Sequence, residues 1–209
     1  MRIICFEGID GSGKTTQSLI TAVYLSRRYR VAIIRPLSLI QILVKGKVTL
    51  TRIKLKKRLR KHAASHKRKV SYISDIVDFS KLLLLVFTIK MELSIMKFLL
   101  KSKHIDIAIY DRFYYDKIFT LLSNKRLQLL ALSLIPRPTI CFILDVPAIV
   151  AYNRMKQIHD KIIPLHFFKR LRHWYIFVGK LFGFPVLNTS NSNVVDIFER
   201  IKAEVDKIL

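Results

Sequence analysis

The sequence predicts an α/β protein in which a five-stranded parallel sheet carries helices on both faces. Five short apolar runs have the length of buried strands, longer stretches with helical spacing separate them, and a glycine-rich segment joins the first run to the first helix. A chain of 209 residues that is 51% hydrophobic can bury a full core without disulfides or metals. We therefore expect one domain over residues 1–209.

Residues 1–110 contain three of the expected strands. The run 2–6 is short and apolar, and helix 15–29 follows it with Leu19, Ile20, Ala22, Val23 and Leu25 at helical spacing. The second strand, 31–35, is closed by Pro36, which cannot continue a strand ladder. A long helix over 72–101 leads to the third strand, 105–110.

The second half repeats this alternation. We expect a helix over 115–134, a fourth strand at 139–144, helices at 148–157 and 167–181, a short fifth strand at 185–188 and a last helix at 193–209. Alternating strands and helices favour a parallel sheet, and ligands of such sheets bind beyond the carboxyl ends of the strands. Residues at those strand ends are therefore candidates for a binding site.

The segment 6–17, FEGIDGSGKTTQ, contains a complete G-x-x-x-x-G-K-[ST] spacing between the first strand and the first helix. Glycines let successive backbone N–H groups converge on phosphate oxygens, and the helix N-terminus adds its positive dipole end. The alternative is a plain glycine-rich turn. The pattern predicts a P-loop NTPase fold and nucleotide binding by the residues Gly8, Ile9, Asp10, Gly11, Ser12, Gly13, Lys14, Thr15 and Thr16.

Individual residues of this loop have separate expected roles. Lys14 supplies a cation for the β- and γ-phosphates, and the Thr15 hydroxyl is a ligand for Mg²⁺. Asp10 is an awkward residue beside phosphates, and it makes sense if its carboxylate accepts a hydrogen bond from a sugar hydroxyl.

Two further strand ends present charged side chains. Asp111 and Arg112 follow the third strand, where the carboxylate can hold Mg²⁺ through water and the guanidinium can neutralise a moving phosphoryl group. A strand-end ion pair is the alternative. Arg35 ends the second strand, where it could clamp an acceptor phosphate or simply cap a turn before Pro36.

The formal net charge is +24, from 38 basic and 14 acidic residues. Twelve of the basic residues lie between Lys45 and Lys69, a stretch without Asp or Glu, and they form a basic helical segment over about 45–70. Such a segment is either a solvated or substrate-attracting face, or a contact for nucleic acid or a membrane surface. Both interpretations stay open at this stage.

Cysteine usage and hydropathy bear on the cell compartment. Cys5 and Cys141 lie in apolar runs, which suits buried reduced thiols better than a disulfide framework. The apolar N-terminal run ends too early for a signal peptide, and Lys90, Glu92 and Lys97 interrupt the richest apolar stretch. We therefore expect a cytoplasmic protein.

Several segments together resemble the thymidylate kinase family of nucleoside monophosphate kinases. FEGIDGSGKTTQ is similar to the family's phosphate loop, Asp111-Arg112-Phe113 to its Asp-Arg-aromatic motif, and the segment 144–147, LDVP, to its Leu-Asp-Val-Pro segment. Phe168, Arg172 and Tyr175 match its F-x-x-x-R-x-x-Y helix.

The resemblance implies transfer of the γ-phosphoryl group from ATP to dTMP, with Mg²⁺ as cofactor and a homodimer as the assembly. It implies that Asp10 meets the sugar 3′-hydroxyl, that Arg35 and Arg112 bind the acceptor phosphate, and that Lys14 and Thr15 serve ATP and magnesium. It also implies a lid over about 153–165 that supplies basic catalytic residues, for which Arg154, Lys156 and Lys161 are available. Arg154 is also a candidate for packing on adenine.

The chain departs from the family pattern where the acceptor base should be read. The family has an aromatic residue and, one turn later, an arginine, whereas here Phe79 is followed by Lys81 and Leu82. The glycines that usually follow the second-strand arginine are absent, because Arg35 precedes Pro36-Leu37-Ser38. The family's Asp-Arg pair in the lid is Asp160-Lys161.

Three functions follow from these observations. The first is a thymidylate kinase, and the second is an enzyme of the same fold with another nucleotide or small-molecule acceptor. The third is an ATP-binding module whose basic segment 45–69 docks on a polyanion or a membrane surface.

Overall fold

The computed structural model describes residues 1–35, 67–157 and 163–209, with side chains of the second range described from residue 77. Within these ranges there are five strands: β1 (Arg2–Glu7), β2 (Val31–Ile34), β3 (Ile107–Asp111), β4 (Ile140–Asp145) and β5 (Val186–Asn188). The helices there are α1 (Lys14–Ser26), α2 (Lys67–Ser102), α3 (Tyr115–Leu121), α4 (Lys125–Leu134), α5 (Ala148–Lys156), α6 (Leu165–Phe182) and α7 (Val194–Ile208). The predicted basic segment 45–70 and the middle of the predicted lid lie largely outside these ranges.

The five strands form one parallel sheet in the order β2-β3-β1-β4-β5, so the predicted fold class is confirmed. In the central strand, Phe6 is in register with Asp111 of β3, and Glu7 is in register with Ile143 of β4. This register brings the loop after β1 to the level at which β3 and β4 end. Asp111 and Asp145, expected just after their strands, are the last residues within them.

The contacts of the chain divide it into two compact units. The first comprises 1–36, 96–115 and 137–209, and it contains the sheet. The second comprises 37–95 and 116–136, and its described part contains most of α2 with α3 and α4. The prediction of a single domain over 1–209 stays a prediction.

One face of the sheet in the first unit packs against α1 and α7. Its core is built from alternate residues of the central strands and from the inner faces of the two helices: Ile4, Phe6, Ala22, Leu25, Ile107, Ile109, Ile140, Phe142, Leu144, Leu187, Ile197, Ile201 and Val205. On the other face, α6 approaches closely at Gly179, where an added Cβ would lie 2.9 Å from Val186 Cγ2 and 3.1 Å from Ile143 Cγ1.

The buried face of α1 differs from the expected apolar stripe. Ala22 and Leu25 are buried as predicted, but Leu19 is 50% exposed and Val23 is 64% exposed. The buried positions toward the helix N-terminus are Lys14, Gln17, Ser18 and Thr21. The helix begins at the glycine-rich loop, so its first turns pack polar side chains against the loop and its surroundings.

In the second unit, the α2 residues Leu82, Leu85 and Ile89 are buried. The single helix expected over 115–134 is two helices. Asn124 has an extended backbone, and its side chain accepts a hydrogen bond from the Arg126 N–H at 2.9 Å, which caps a new helix. None of the described helices is long and apolar enough to span a membrane.

A matched pair on α1 tests this assignment of the core. Leu25→Ala removes a side chain that is 3% exposed, so we expect it to lower the free energy of unfolding by about 2–5 kcal/mol. Leu19→Ala should change it by about 0.5 kcal/mol or less, because Leu19 is half exposed. Urea unfolding followed by circular dichroism measures both values. Equal losses in the two variants would contradict the described orientation of α1.

Candidate functional site

The loop between β1 and α1 depends on glycine at two positions. At Gly8, φ is +142°, and an added Cβ would lie 2.3 Å from the Leu144 carbonyl oxygen at the end of β4. Gly13 occupies the N-cap of α1 with φ +91°, a conformation that side-chain-bearing residues rarely adopt. The backbone of the loop therefore lies directly against β4 and turns sharply into α1.

Lys14 is folded back onto this loop. Its side chain is 5% exposed, and Nζ donates a hydrogen bond to the Ile9 carbonyl oxygen at 2.8 Å. Asp10 Oδ1 lies 3.8 Å from the same nitrogen. Burial, followed by the positive charge of Arg112, lowers the pKa of Lys14 to about 8, although Asp10, Glu7 and Asp111 act in the opposite direction. An anion bound beside the Lys14 ammonium would therefore raise this pKa and favour the charged form.

Asp111 connects the loop to two other elements. Its Oδ2 accepts hydrogen bonds from Thr15 Oγ1 at 2.8 Å and from Arg35 Nε at 3.0 Å. The side chain is 4% exposed, and Oδ1 is buried without a hydrogen-bond partner among the described residues. A buried carboxylate oxygen without a partner is costly. This oxygen and the Thr15 hydroxyl are hard donors that fit a Mg²⁺ ion with water in its remaining positions.

Arg112 projects from the next position in a strained backbone conformation. Its φ is +81°, which is uncommon for an arginine, and its Nη2 forms an ion pair with Asp10 Oδ1 of the loop. Glu7 stabilises this turn. The side chain of Glu7 is fully buried, and its Oε1 accepts a hydrogen bond from the Phe113 N–H at 2.8 Å. The Arg112 N–H also donates to the Phe6 carbonyl at 3.1 Å. Glu7 therefore fixes the direction in which Arg112 leaves the sheet.

Side chains from distant parts of the chain bind carbonyl oxygens of the loop. Arg154 Nη1 on α5 donates to the Gly11 carbonyl at 2.8 Å. Thr189 Oγ1, just after β5, lies 3.2 Å from the Ser12 carbonyl and 3.1 Å from the Asp145 carbonyl. These contacts tie the loop to α5 and to the ends of β4 and β5.

The end of β4 carries a second ion pair. Arg172 on α6 donates through Nε to Asp145 Oδ1 at 2.6 Å and through Nη2 to Asp145 Oδ2 at 2.8 Å. This bidentate geometry is the strongest arrangement for a guanidinium and a carboxylate. The hydrogen bonds to Asp145 raise the pKa of Arg172. The pair fastens the middle of α6 to the same sheet edge as the loop.

Most of the predicted site residues lie together at the carboxyl edge of the sheet in the first unit. Asp10 contacts Lys14 and Arg112, and Asp111 contacts Thr15 and Arg35. Arg154 reaches the same loop at the Gly11 carbonyl. Thr16 is exposed on the first turn of α1, and Ile9 and Ser12 are buried within the loop. Arg35, expected either to clamp an acceptor phosphate or to cap a turn before Pro36, donates to Asp111.

Phe79 lies in the second unit, on α2, with 48% of its side chain exposed. Lys81, the cation nearest to the expected base-reading position, is buried and forms an ion pair with Asp78. Leu82 is fully buried. Neither of these two side chains is therefore available on the helix surface beside Phe79. Lys161 and the centre of the expected lid lie outside the described residues.

Sequence reasoning missed two residues of this site. Glu7 received no role from the sequence patterns, although a carboxylate at the buried end of a central strand is itself a signal of a specific partner. Thr189 had no signal in the sequence, because its contact with Ser12 spans 177 positions. Only the packing of β5 beside β4 brings it to the loop.

Two comparisons with known proteins match nearly the whole chain. The sequence is 26% identical over 208 residues to a curated protein of Saccharolobus solfataricus described as probable thymidylate kinase 1, with 96% of this chain and 95% of the relative covered. A solved thymidylate kinase from Ehrlichia chaffeensis matches with a TM-score of 0.53 and 24% identity, covering 98% of this chain and 97% of that one. This second likeness concerns the fold. No family model matches the chain.

The lowered pKa of Lys14 predicts a pH-dependent affinity for ATP. A bound phosphate raises this pKa, so binding takes up a proton once the pH exceeds about 8. Affinity should therefore be flat below about pH 8 and fall by up to about tenfold per pH unit above it. Isothermal titration calorimetry at pH 8.5, in two buffers with different ionisation enthalpies, measures the proton uptake.

Lys14→Arg is the matched control, because a guanidinium stays charged through this pH range. Its affinity, expressed relative to its own value at pH 7, should not fall above pH 8. Absence of proton uptake in the unmodified protein at pH 8.5 would contradict the prediction, whatever the arginine variant does.

Proposed function

We propose that the chain is a thymidylate kinase, a nucleoside monophosphate kinase that transfers the γ-phosphoryl group of ATP to dTMP, giving dTDP and ADP. The observation that carries this proposal is the contact between Arg112 and Asp10. It links the phosphate loop to a strand-end arginine on β3, so one sheet edge contains groups suited to a donor and an acceptor.

The donor half of the proposed site is the loop Gly8–Thr15 with the first turn of α1. Its backbone N–H groups and Lys14 hold the β- and γ-phosphates, which requires the Lys14 ammonium to exchange the Ile9 carbonyl for a phosphate oxygen. Arg154, which already contacts Gly11, neutralises charge on the transferring group and packs near the adenine. In the transfer, an acceptor phosphate oxygen forms a bond to the γ-phosphorus while the bond to the β,γ-bridging oxygen breaks.

We propose Mg²⁺ as the cofactor, held by Thr15 directly and by Asp111 partly through water. The partnerless buried Oδ1 of Asp111 supports this assignment. The described residues contain no group of three or more His, Cys, Asp or Glu side chains that could hold a metal ion. Mg²⁺ at nucleotide sites is usually bound by one or two carboxylates, water and substrate phosphates. When bound, the ion supplies charge stabilisation to the phosphate chain.

The acceptor half of the proposed site uses Arg112 and Arg35 for the dTMP phosphate and Asp10 for the sugar hydroxyl. Both arginines are now paired with carboxylates, so dTMP binding requires each guanidinium to share or exchange its partner. We propose Phe79 as the residue that stacks on the base. Because Lys81 is committed to Asp78, base recognition must differ from an aromatic-and-arginine pair.

We further propose that a lid over about 153–165 covers the nucleotides and that the active form is a homodimer. The support for a dimer is a row of exposed apolar residues on α2 at successive turns: Leu83, Phe87, Met91, Ile95 and Phe98. Exposed apolar rows of this length on a helix are typical of contact surfaces.

The acceptor is tested by measuring ADP release from ATP and Mg²⁺ with a panel of nucleoside monophosphates, nucleosides and sugar phosphates. We expect dTMP to stimulate release at least tenfold over the ATP-only rate and more than any other panel member. Lys14→Ala should abolish the stimulation, which assigns it to the loop. Stimulation by a different compound alone would show that the enzyme uses another acceptor. If no compound stimulates ADP release, the kinase assignment is rejected.

Glu7 gives a second test, in which it acts as a positioning residue for Arg112. Glu7→Ala leaves the Phe113 N–H without its buried acceptor, and we expect kcat/KM for the acceptor to fall about 10- to 100-fold. Glu7→Gln keeps an acceptor oxygen and should recover most of that loss. Steady-state kinetics with varied dTMP measures both.

A Glu7 side chain that acts only as an uncharged packing group would leave the titration of Lys14 unchanged. The negative charge of Glu7 raises the pKa of Lys14, so the neutral glutamine should lower it. The fall in ATP affinity with rising pH should then begin at a lower pH in Glu7→Gln than in the unmodified protein. An unshifted profile together with equal kinetic losses in both variants would reject the positioning role.

A further inference from the structure

A basic cavity lies at the amino-terminal edge of the sheet, at the opposite end of the strands from the phosphate loop. It encloses about 470 Å³, and the side chains of Arg30, Lys97, Lys101, His104 and Asp106 line it. We call it the amino-edge pocket. Arg30 precedes β2, Lys97 and Lys101 belong to the last turns of α2, and His104 and Asp106 lie between α2 and β3.

Backbone hydrogen bonds hold the walls of this pocket in place. The Asp106 N–H donates to the Arg30 carbonyl at 2.9 Å, and the Arg30 N–H donates to Asp106 Oδ2 at 2.9 Å. His104 turns the chain with φ +54° after α2, and its N–H donates to the Lys101 carbonyl at 3.0 Å. The cationic side chains thus come from three segments whose backbones are tied together.

The charges in the pocket do not balance. The carboxylate of Asp106 is engaged by Arg30, both through the backbone N–H and through Nε at 3.9 Å. Lys97 and Lys101 are four residues apart on one helix, so their ammonium groups lie on the same face and repel each other. Within the described part of the chain, no carboxylate lies within ion-pair distance of either lysine. A bound anion would relieve this repulsion.

More cations are close in sequence to the residues that line the pocket. Arg27, Arg28 and Lys103 are exposed in the two turns that precede β2 and β3. Cations concentrated around a concave surface raise the local concentration of anions there. Several separate cations along an open cavity fit a ligand with several separate negative charges better than a single small anion.

We propose that the amino-edge pocket binds a chain of phosphate groups. Lys97 and Lys101 contact neighbouring phosphates as point charges, while Arg30 and His104 donate from the facing wall. The cavity volume is that of a small-molecule site and can hold about three phosphates or a short stretch of nucleotide backbone. Such a chain exists as a free oligophosphate and as the backbone of single-stranded nucleic acid. The pocket is separate from the proposed transfer site, so this binding does not depend on the proposed function.

The test uses the full chain carrying Lys14→Ala, which weakens phosphate binding at the loop. Two probes are titrated at about 0.1 M salt: inorganic triphosphate, by calorimetry, and a twelve-nucleotide oligothymidylate, by fluorescence anisotropy. Lys97→Gln with Lys101→Gln removes two pocket charges. The matched control is Lys202→Gln with Lys207→Gln, which removes two exposed charges on α7, where each lysine pairs with a glutamate.

We expect the pocket variant to weaken at least one probe about tenfold or more, while the control changes binding less than twofold. For the oligonucleotide, the slope of log affinity against log salt should also become less steep by about 1.4, as two phosphate contacts require. Loss of triphosphate binding identifies a free oligophosphate as the ligand class, and loss confined to the oligonucleotide identifies a nucleic-acid backbone.

The proposal is overturned if pocket and control variants weaken both probes equally, because the attraction would then be diffuse. It is also overturned if the pocket substitutions change the affinity for neither probe. Loss of binding to anionic lipid vesicles alone counts as this outcome. Phosphotransfer by the pocket variant, measured with Lys14 intact, should stay within about twofold of the unmodified protein. A failure of this test therefore leaves the proposed kinase activity untouched.

Discussion

The position of β1 between β3 and β4 determines the geometry of everything described at the carboxyl edge. Phe6 pairs with Asp111 on one side, and Glu7 pairs with Ile143 on the other, so the loop starts where both neighbours end. A slip of one residue would send alternate side chains to the opposite face of the sheet. Asp111 would then no longer face Thr15, and Glu7 would no longer reach the turn at Arg112. The site is therefore a consequence of strand register, which the apolar core on one face of the sheet enforces.

The cations of the site contact acceptors within the protein rather than being left open. Lys14 binds a loop carbonyl, Arg112 binds Asp10, and Arg35 binds Asp111. Each of these contacts avoids an unpaired charge in a partly buried place, which would be costly. A phosphate ligand must replace them, so part of its binding energy is spent on exchange. The partial pairing also explains why Lys14, although buried, keeps its pKa near 8 instead of lower.

Sequence patterns predicted the strands, the loop and the strand-end residues because these depend on local spacing and on one topological rule. Asp111, Arg112 and Asp10 could be expected to meet, since parallel strands bring their carboxyl ends together. The use of Arg35 by Asp111 was not predictable, because it depends on side-chain direction across two strands. The exposed Leu19 and the cap at Asn124 show two other limits of prediction. At Leu19, the loop at the start of α1 overrides the apolar pattern. At Asn124, a local hydrogen bond interrupts a periodic helix.

The bonds made to the loop's carbonyl oxygens have a consequence for its peptide planes. A peptide group carries its acceptor on one edge and its donor on the opposite edge, so holding the oxygen also aims the hydrogen. Lys14, Arg154 and Thr189 hold the oxygens of Ile9, Gly11 and Ser12. The outward N–H directions are thus set partly by side chains that arrive from α5 and from beyond β5. A residue such as Thr189 can in this way influence how an anion is received without ever touching it.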